Sequence, residues 1–207
     1  MKKSLLTSAL ALSMFLLSAC SSSATLTRYY TLASDFSVKA SKSYPYKVVV
    51  KKFTVDPAYN SSNIVYRESP YDFMAYNHDL WATSPAHQIA NVFTEDLQKS
   101  RLFEKVEQRA TEMPDMEFTG FLMAIEEVDN DSTDRYARVA VELAFRDVKK
   151  DSTLWKKVYD EKEPLEGSEP REIAKSASKL VNRYAEDAVQ EIEKLLESMK
   201  APDSEVQ

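Results

Sequence analysis

The chain has 207 residues, 29% of them charged, and a formal net charge of −6. That acidic balance argues against nucleic acid as a partner and against a generally adhesive basic membrane surface. Cys20 is the only cysteine, which excludes an intramolecular disulfide and a cysteine metal site. With two glycines in the whole chain there is no glycine-rich phosphate loop, so this polypeptide is not itself a P-loop nucleotide hydrolase.

Residues 1–19 read as a targeting segment: Lys2 and Lys3 supply the positive start, residues 5–17 an apolar stretch, and Leu17-Ser18-Ala19-Cys20 a small-residue ending. The apolar part is shorter than the roughly 20 residues needed to span a bilayer, so it is a signal and not an anchor. Its ending resembles a bacterial lipobox. That resemblance implies that Cys20 becomes the first mature residue, carrying a diacylglycerol thioether and an N-acyl chain. Removing 19 of 207 residues leaves 188, one domain of ordinary size, and losing Lys2 and Lys3 moves the formal charge to −8. Residues 20–27 are the lipidated cysteine and a Ser/Thr-rich tether whose seven residues after Cys20 reach at most about 25 Å, and residues 28–200 are the folded domain.

Within that domain residues 28–32 predict a short strand, 33–45 a connecting loop, and 47–55 a strand whose Val48-Val49-Val50 centre is buried on both faces. After a loop over 57–63, aromatic and β-branched residues predict strands over 64–66 and 71–76 with Ser69-Pro70 as the break. Ser84 as N-cap, Pro85 at the first helical position and Ala86, Ile89, Ala90, Phe93 and Leu97 on one face predict a helix ending near Ser100. Arg101 stands where a glycine would more comfortably end it. Leu102, Phe103 and Val106 start a new strand.

The polar run 107–115 predicts a turn, and 116–128 a strand in which Gly120 marks a bulge or a close approach, such as a helix crossing the sheet. Glu126-Glu127 and Asp129 to Asp131 read as part of a solvated polar turn rather than a calcium loop. Ala137, Val139, Val141, Leu143 and Phe145 alternate with Arg138, Glu142 and Arg146, a half-buried strand, and 153–159 return as its hairpin partner across a turn at 149–152. Ser168 is the expected N-cap of a last helix, along which Ile173, Ala177, Leu180, Val181, Tyr184, Ala188, Ile192 and Leu195 form an apolar stripe. Residues 201–207 read as a disordered tail. The fold class is therefore α/β, a single domain with a mixed β-sheet and two long amphipathic helices packed on it.

No catalytic constellation stands out. His78, Asp79 and Ser84 are the residue types of a hydrolytic triad, but they crowd one strand-helix junction and no Gly-x-Ser-x-Gly elbow accompanies them. His78 and His87 lack the four-residue spacing of a helical metal pair. The chain is read as a non-enzyme with no cofactor and no metal. Tyr66, Tyr71, Phe73, Tyr76 and Trp81 are the denser signal. Alternation sends Tyr71 and Phe73 to one face and Tyr76 to the other, so one set can fill the core while Tyr71, Tyr76 or Trp81 meets a partner. Cross-strand packing with no binding role is the alternative.

Tyr29-Tyr30-Thr31-Leu32, the aromatic run 71–76, Trp81-Ala82, the helix opened by Pro85 and Leu102-Phe103-Glu104-Lys105-Val106 occur in an order and spacing that resemble the ABC-type transport auxiliary lipoprotein family. The resemblance covers most of the mature chain, with Arg101 as its departure, where Ser-Gly-Leu-Phe is expected. It implies a non-catalytic accessory lipoprotein of an envelope transport system for lipids or other apolar molecules, docking to an MCE-type periplasmic substrate-binding protein. It also implies anchoring on the periplasmic face of the outer membrane, since Ser21 is not the aspartate that favours inner-membrane retention, and it admits a ring-like homo-oligomer. The alternatives are a structural or assembly lipoprotein without a transport role and a lipid-carrying pocket between sheet and long helix.

Overall fold

The computed structural model describes residues 25–130 and 134–200. Cys20, the signal segment, Asp131 and the tail 201–207 lie outside the described residues. In chain order the strands are β1 (Arg28–Tyr30), β2 (Tyr44–Val50), β3 (Thr54–Val55), β4 (Asn63–Arg67) and β5 (Met74–Trp81). Helix α1 (Pro85–Ser100) and strand β6 (Phe103–Glu107) follow, then the long strands β7 (Met116–Asp129), β8 (Arg135–Asp147) and β9 (Ser152–Pro164), and helix α2 (Pro170–Lys200).

Strand β7 organises the sheet. Along one edge it pairs antiparallel with β8 over its full length, from Met116 opposite Asp147 to Asp129 opposite Arg135, and β8 pairs onward with β9. Along its other edge three parallel strands take turns: β2 with Val48 opposite Met116, β3 with Thr54 opposite Phe121, and β4 with Val65 opposite Glu126. Strand β6 adds to β2, while β5 adds to β4 and β1 to β5. The result is one mixed nine-stranded sheet with both helices on one face.

The expected strand over 47–55 is two strands, because exposed Lys51 and Lys52 interrupt it before Phe53 turns inward. Phe53 also explains Gly120. A Cβ there would overlap the Phe53 ring, so the close neighbour is this aromatic and not a crossing helix. The ring then continues a run of aromatic contacts, Phe53 to Phe93 and Phe93 to Phe118, with centroids 5.9 and 5.6 Å apart. Val48, Val49 and Val50 are all buried, as their unbroken apolar run predicts.

Helix α1 begins and ends where its signals predict. Arg101 closes it in the left-handed conformation, φ 59° and ψ 22°, its N–H donating to the Gln98 carbonyl. Helix α2 starts at Pro170, which puts Glu169 at the N-cap position and Ser168 one residue too early for it. Its buried stripe runs through Ile173, Ala177, Leu180, Val181, Tyr184, Ala188 and Ile192, and ends on Leu196 rather than the half-buried Leu195. Each fully buried Leu or Ile contributes on the order of 1.5–3 kcal/mol, which is what holds this helix to the sheet.

The connection over residues 33–43 runs extended across the helices, where side chains replace a strand ladder. The Leu32 N–H donates to Gln88 of α1 at 2.7 Å, the Ala33 N–H to Ser178 at 3.1 Å and the Asp35 N–H to Asn182 of α2 at 3.2 Å.

These registers give the domain two ends about 45 Å apart, the length of a 14-residue strand or a 31-residue helix. One end gathers the start of β1, the turn between β4 and β5, the junction of β7 with β8, the end of β9 and the start of α2, and Arg28 pairs there with Glu169 at 3.5 Å. The other holds the start of β7, the 148–151 turn and the last turns of α2, where Lys42 pairs with Glu197 at 3.0 Å.

Candidate functional site

Residues 68–73 turn the chain between β4 and β5 rather than extending it from Tyr71 onward, so β5 starts only at Met74. Ser69, Pro70 and Asp72 supply the turn chemistry. The Ser69 hydroxyl donates to the Asp72 carboxylate at 2.5 Å and accepts the Tyr71 N–H at 3.2 Å, while the Ser69 carbonyl accepts the Asp72 N–H at 3.3 Å. Tyr71 is left 95% exposed at the tip.

Arg67, the last residue of β4, braces this turn from below. One guanidinium N–H donates to the Asp72 carbonyl at 3.0 Å, another to the Tyr59 hydroxyl at 3.3 Å, and Nε to Glu126 at 2.6 Å. Its plane lies 4.8 Å from the Phe73 ring, which also meets Tyr59 edge-on at 5.5 Å. The mobile end of a long side chain is thereby fixed on every side.

Glu126 is the anchor of that brace. Only 1% exposed, it accepts from Arg67, from the Tyr59 hydroxyl at 2.5 Å and from Arg138 at 2.8 Å, while Arg138 makes a two-pronged contact with Asp160 at 2.7 and 2.9 Å. Burial, and then the bond to Glu126, push the Tyr59 phenol up to about 12 despite the nearby Arg67. The bond to Asp160, followed by that to Glu126, raises Arg138 above its ordinary value against its partial burial.

Glu127 points through the sheet to the opposite face, as successive strand residues must. There it is equally buried, bonded by Arg135 and by the Tyr76 hydroxyl at 2.7 Å. The reading of Glu126-Glu127 as part of a solvated turn is therefore overturned: both lie inside β7, where three arginines from β4 and β8 make burial tolerable. Their mirrored spacing about position 132 to Arg138 and Ala137 was the available signal, since antiparallel pairing of β7 with β8 places Glu126 opposite Arg138.

The three candidate interface aromatics part company. Trp81 is 1% exposed, enclosed where β5 is flanked by both β1 and the chain before β4, and its side chain is core in this fold, with no surface to offer a partner. Tyr76 is half-buried, its ring 4.7 Å from Tyr66 and its hydroxyl held by Glu127, with burial the first cause of its raised pKa. Tyr71 alone of the three stands free in solvent. A cleft of about 360 Å³ opens beside its turn, walled by Pro70, Tyr136, Arg138 and Lys162.

His78 and His87 are both exposed, and Asp79 accepts from the Tyr30 hydroxyl at 2.8 Å, so His78, Asp79 and Ser84 are not joined into a triad. Among the described residues no three His, Cys, Asp or Glu side chains are grouped to hold a metal ion. The arrangement is suited to presenting a fixed surface, and the chemistry of its charged groups is spent on holding that surface in place.

The fold is shared with solved structures. A Xanthomonas campestris protein of family DUF330 superposes with a TM-score of 0.74 at 11% identity, covering 84% of this chain and all of its own. An uncharacterised protein gives 0.67 at 14% identity over 81% and 99% of the two chains. PelC of Paraburkholderia phytofirmans, a dodecamer, reaches only 0.46 at 12% identity over 72% and 91%, too distant to bear on assembly here. No curated protein sequence matches. Residues 30–189, from the end of β1 to the middle of α2, match one family, and on that match the chain belongs to the ABC-type transport auxiliary lipoprotein component family.

Proposed function

We propose that this chain is a non-catalytic accessory lipoprotein of an MCE-linked ABC-type system that moves lipids or other apolar molecules through the cell envelope. Cys20 carries the lipid anchor, the outer membrane holds it with the domain in the periplasm, and the domain acts by docking to a periplasmic transport protein. The family match over residues 30–189 is the observation that carries this reading.

Affinity isolation of the full lipoprotein from detergent-solubilised envelopes tests it. Recovery of an MCE protein with its ATPase and permease is the expected result. Recovery of a barrel-assembly or peptidoglycan component alone would replace transport with an assembly role. Fractionation of Ser21→Asp is expected to move the protein toward the inner membrane.

A further inference from the structure

We propose that the end of the domain where the tether enters lies against the bilayer itself, with Tyr71 and Phe73 of the β4–β5 turn seated at the membrane–water interface. This rests on the reading of Cys20 as the lipid attachment point. Register places this turn on the side from which the tether arrives. Arg28 lies opposite Asp79 on the parallel strand β5, and β5 runs back five residues from Asp79 to Met74, about 17 Å, before the turn that carries Tyr71. The turn therefore projects beyond Arg28 toward the side from which the tether arrives.

The reach of the chain closes the argument. Eight residue steps separate Cys20 from Arg28, and they span at most about 28 Å. A lipid at Cys20 thus holds Arg28 within about 28 Å of the surface, and the projection of β5 toward that surface takes up about 17 Å of it. At most about 11 Å is left ahead of Met74, and the turn that carries Tyr71 extends into that gap.

The distribution of exposed apolar side chains agrees. Tyr71 is 95% exposed and Phe73 43% on the turn, with Leu26 76% and Tyr29 65% exposed behind it on the side of the tether, whereas the opposite end exposes only Met113 and Met199 among the described residues. Tyrosine suits the interfacial region because its ring is apolar and its hydroxyl remains wet. Charges at this end are mixed in sign, Arg28 with Glu169 and Arg67 with Glu126 and the nearby Asp72. Contact is consequently set by aromatic burial, and it should be the same on neutral and anionic membranes.

The test uses the full lipoprotein reconstituted into vesicles of phosphatidylethanolamine with or without phosphatidylglycerol, containing nitroxide-labelled lipid. An environment-sensitive fluorophore is placed at Glu68→Cys, beside the turn, and separately at Met113→Cys at the far end; the thioether at Cys20 leaves each new thiol unique. Most of the emission at position 68 should be lost to the nitroxide, with none lost at 113, and Tyr71→Asp should restore much of it without changing the melting temperature. If the protein floats with the vesicles but position 68 is quenched no more than 113, the orientation is wrong while the anchor stands. Failure to float removes the anchor and this inference with it. Shielding of position 68 only after a periplasmic extract is added would make Tyr71 a protein contact and overturn the proposal.

Discussion

Glu126 and Asp160 both bond Arg138, yet they should differ sharply in what they contribute. Glu126 is enclosed and serves Arg67, Arg138 and Tyr59, whereas Asp160 has a side chain 49% exposed. Removing a buried partner strands the charges it compensated, so Glu126→Ala is expected to cost on the order of 3 kcal/mol, the lower end for a buried pair because both arginines still reach water. Asp160→Ala should cost under about 1 kcal/mol, as exposed ion pairs do. Denaturant midpoints of the two variants check the difference. A second buried acid works in the opposite sense. Asp96 of α1 accepts from the Ser34 hydroxyl at 2.5 Å, but its other oxygen has no hydrogen-bond partner, and burial raises its pKa from 3.8 to about 6. A raised pKa means that the folded state prefers the protonated form. Its stabilising contribution is complete below about pH 4 and is lost as pH rises through 6. Asp96→Asn should therefore stabilise the domain at pH 7.5, by about 1–3 kcal/mol, and flatten the stability profile between pH 4 and 7. A variant that is less stable at pH 7.5, or that keeps the same profile, would contradict this.

Strand β7 shows how far elements can be read from local pattern. Its tolerance for Gly120 depends on Phe53, so Gly120→Ala overpacks a buried ring and should cost about 1–3 kcal/mol, with much of the loss recovered in combination with Phe53→Leu. Thermal melts of the single and double variants decide whether the two positions are coupled. The glycine announced a close approach in the sequence, but its neighbour could not be named, because Phe53 is brought there by the parallel pairing of Thr54 with Phe121, far apart in the chain. The same limit applies elsewhere. The alternation through Ala137 to Phe145 and the helical stripe of α2 are periodic and were legible. Tyr71 has the side chain of a strand residue, yet Ser69, Pro70 and Asp72 fold it into a turn, since turn chemistry overrides β propensity there. Trp81 became core because β1 pairs onto β5 from far earlier in the chain. Part of what buries Glu126 was out of reach for the same reason: Arg67 comes from another strand and no local window contains it, whereas Arg138 and Arg135, the arginines of Glu126 and Glu127 on β8, lie within one hairpin.

At the scale of the whole molecule, the strand registers and α2 give a long body with its tether, its braced turn and most of its exposed apolar side chains at one end. That polarity is informative only if the N-terminus is held by lipid, and both the accessory role and the contact of Tyr71 with a bilayer depend on it. One myristoyl chain binds marginally, but three acyl chains at about 0.8 kcal/mol for each buried CH₂ would make release negligible. Cys20→Ala should accordingly free the domain from membranes with its fold unchanged. Mass spectrometry of the mature N-terminus tests the point most directly. The expected species begins at Cys20 with a diacylglycerol thioether and an N-acyl chain; an unmodified cysteine, or a chain that begins elsewhere, would contradict it.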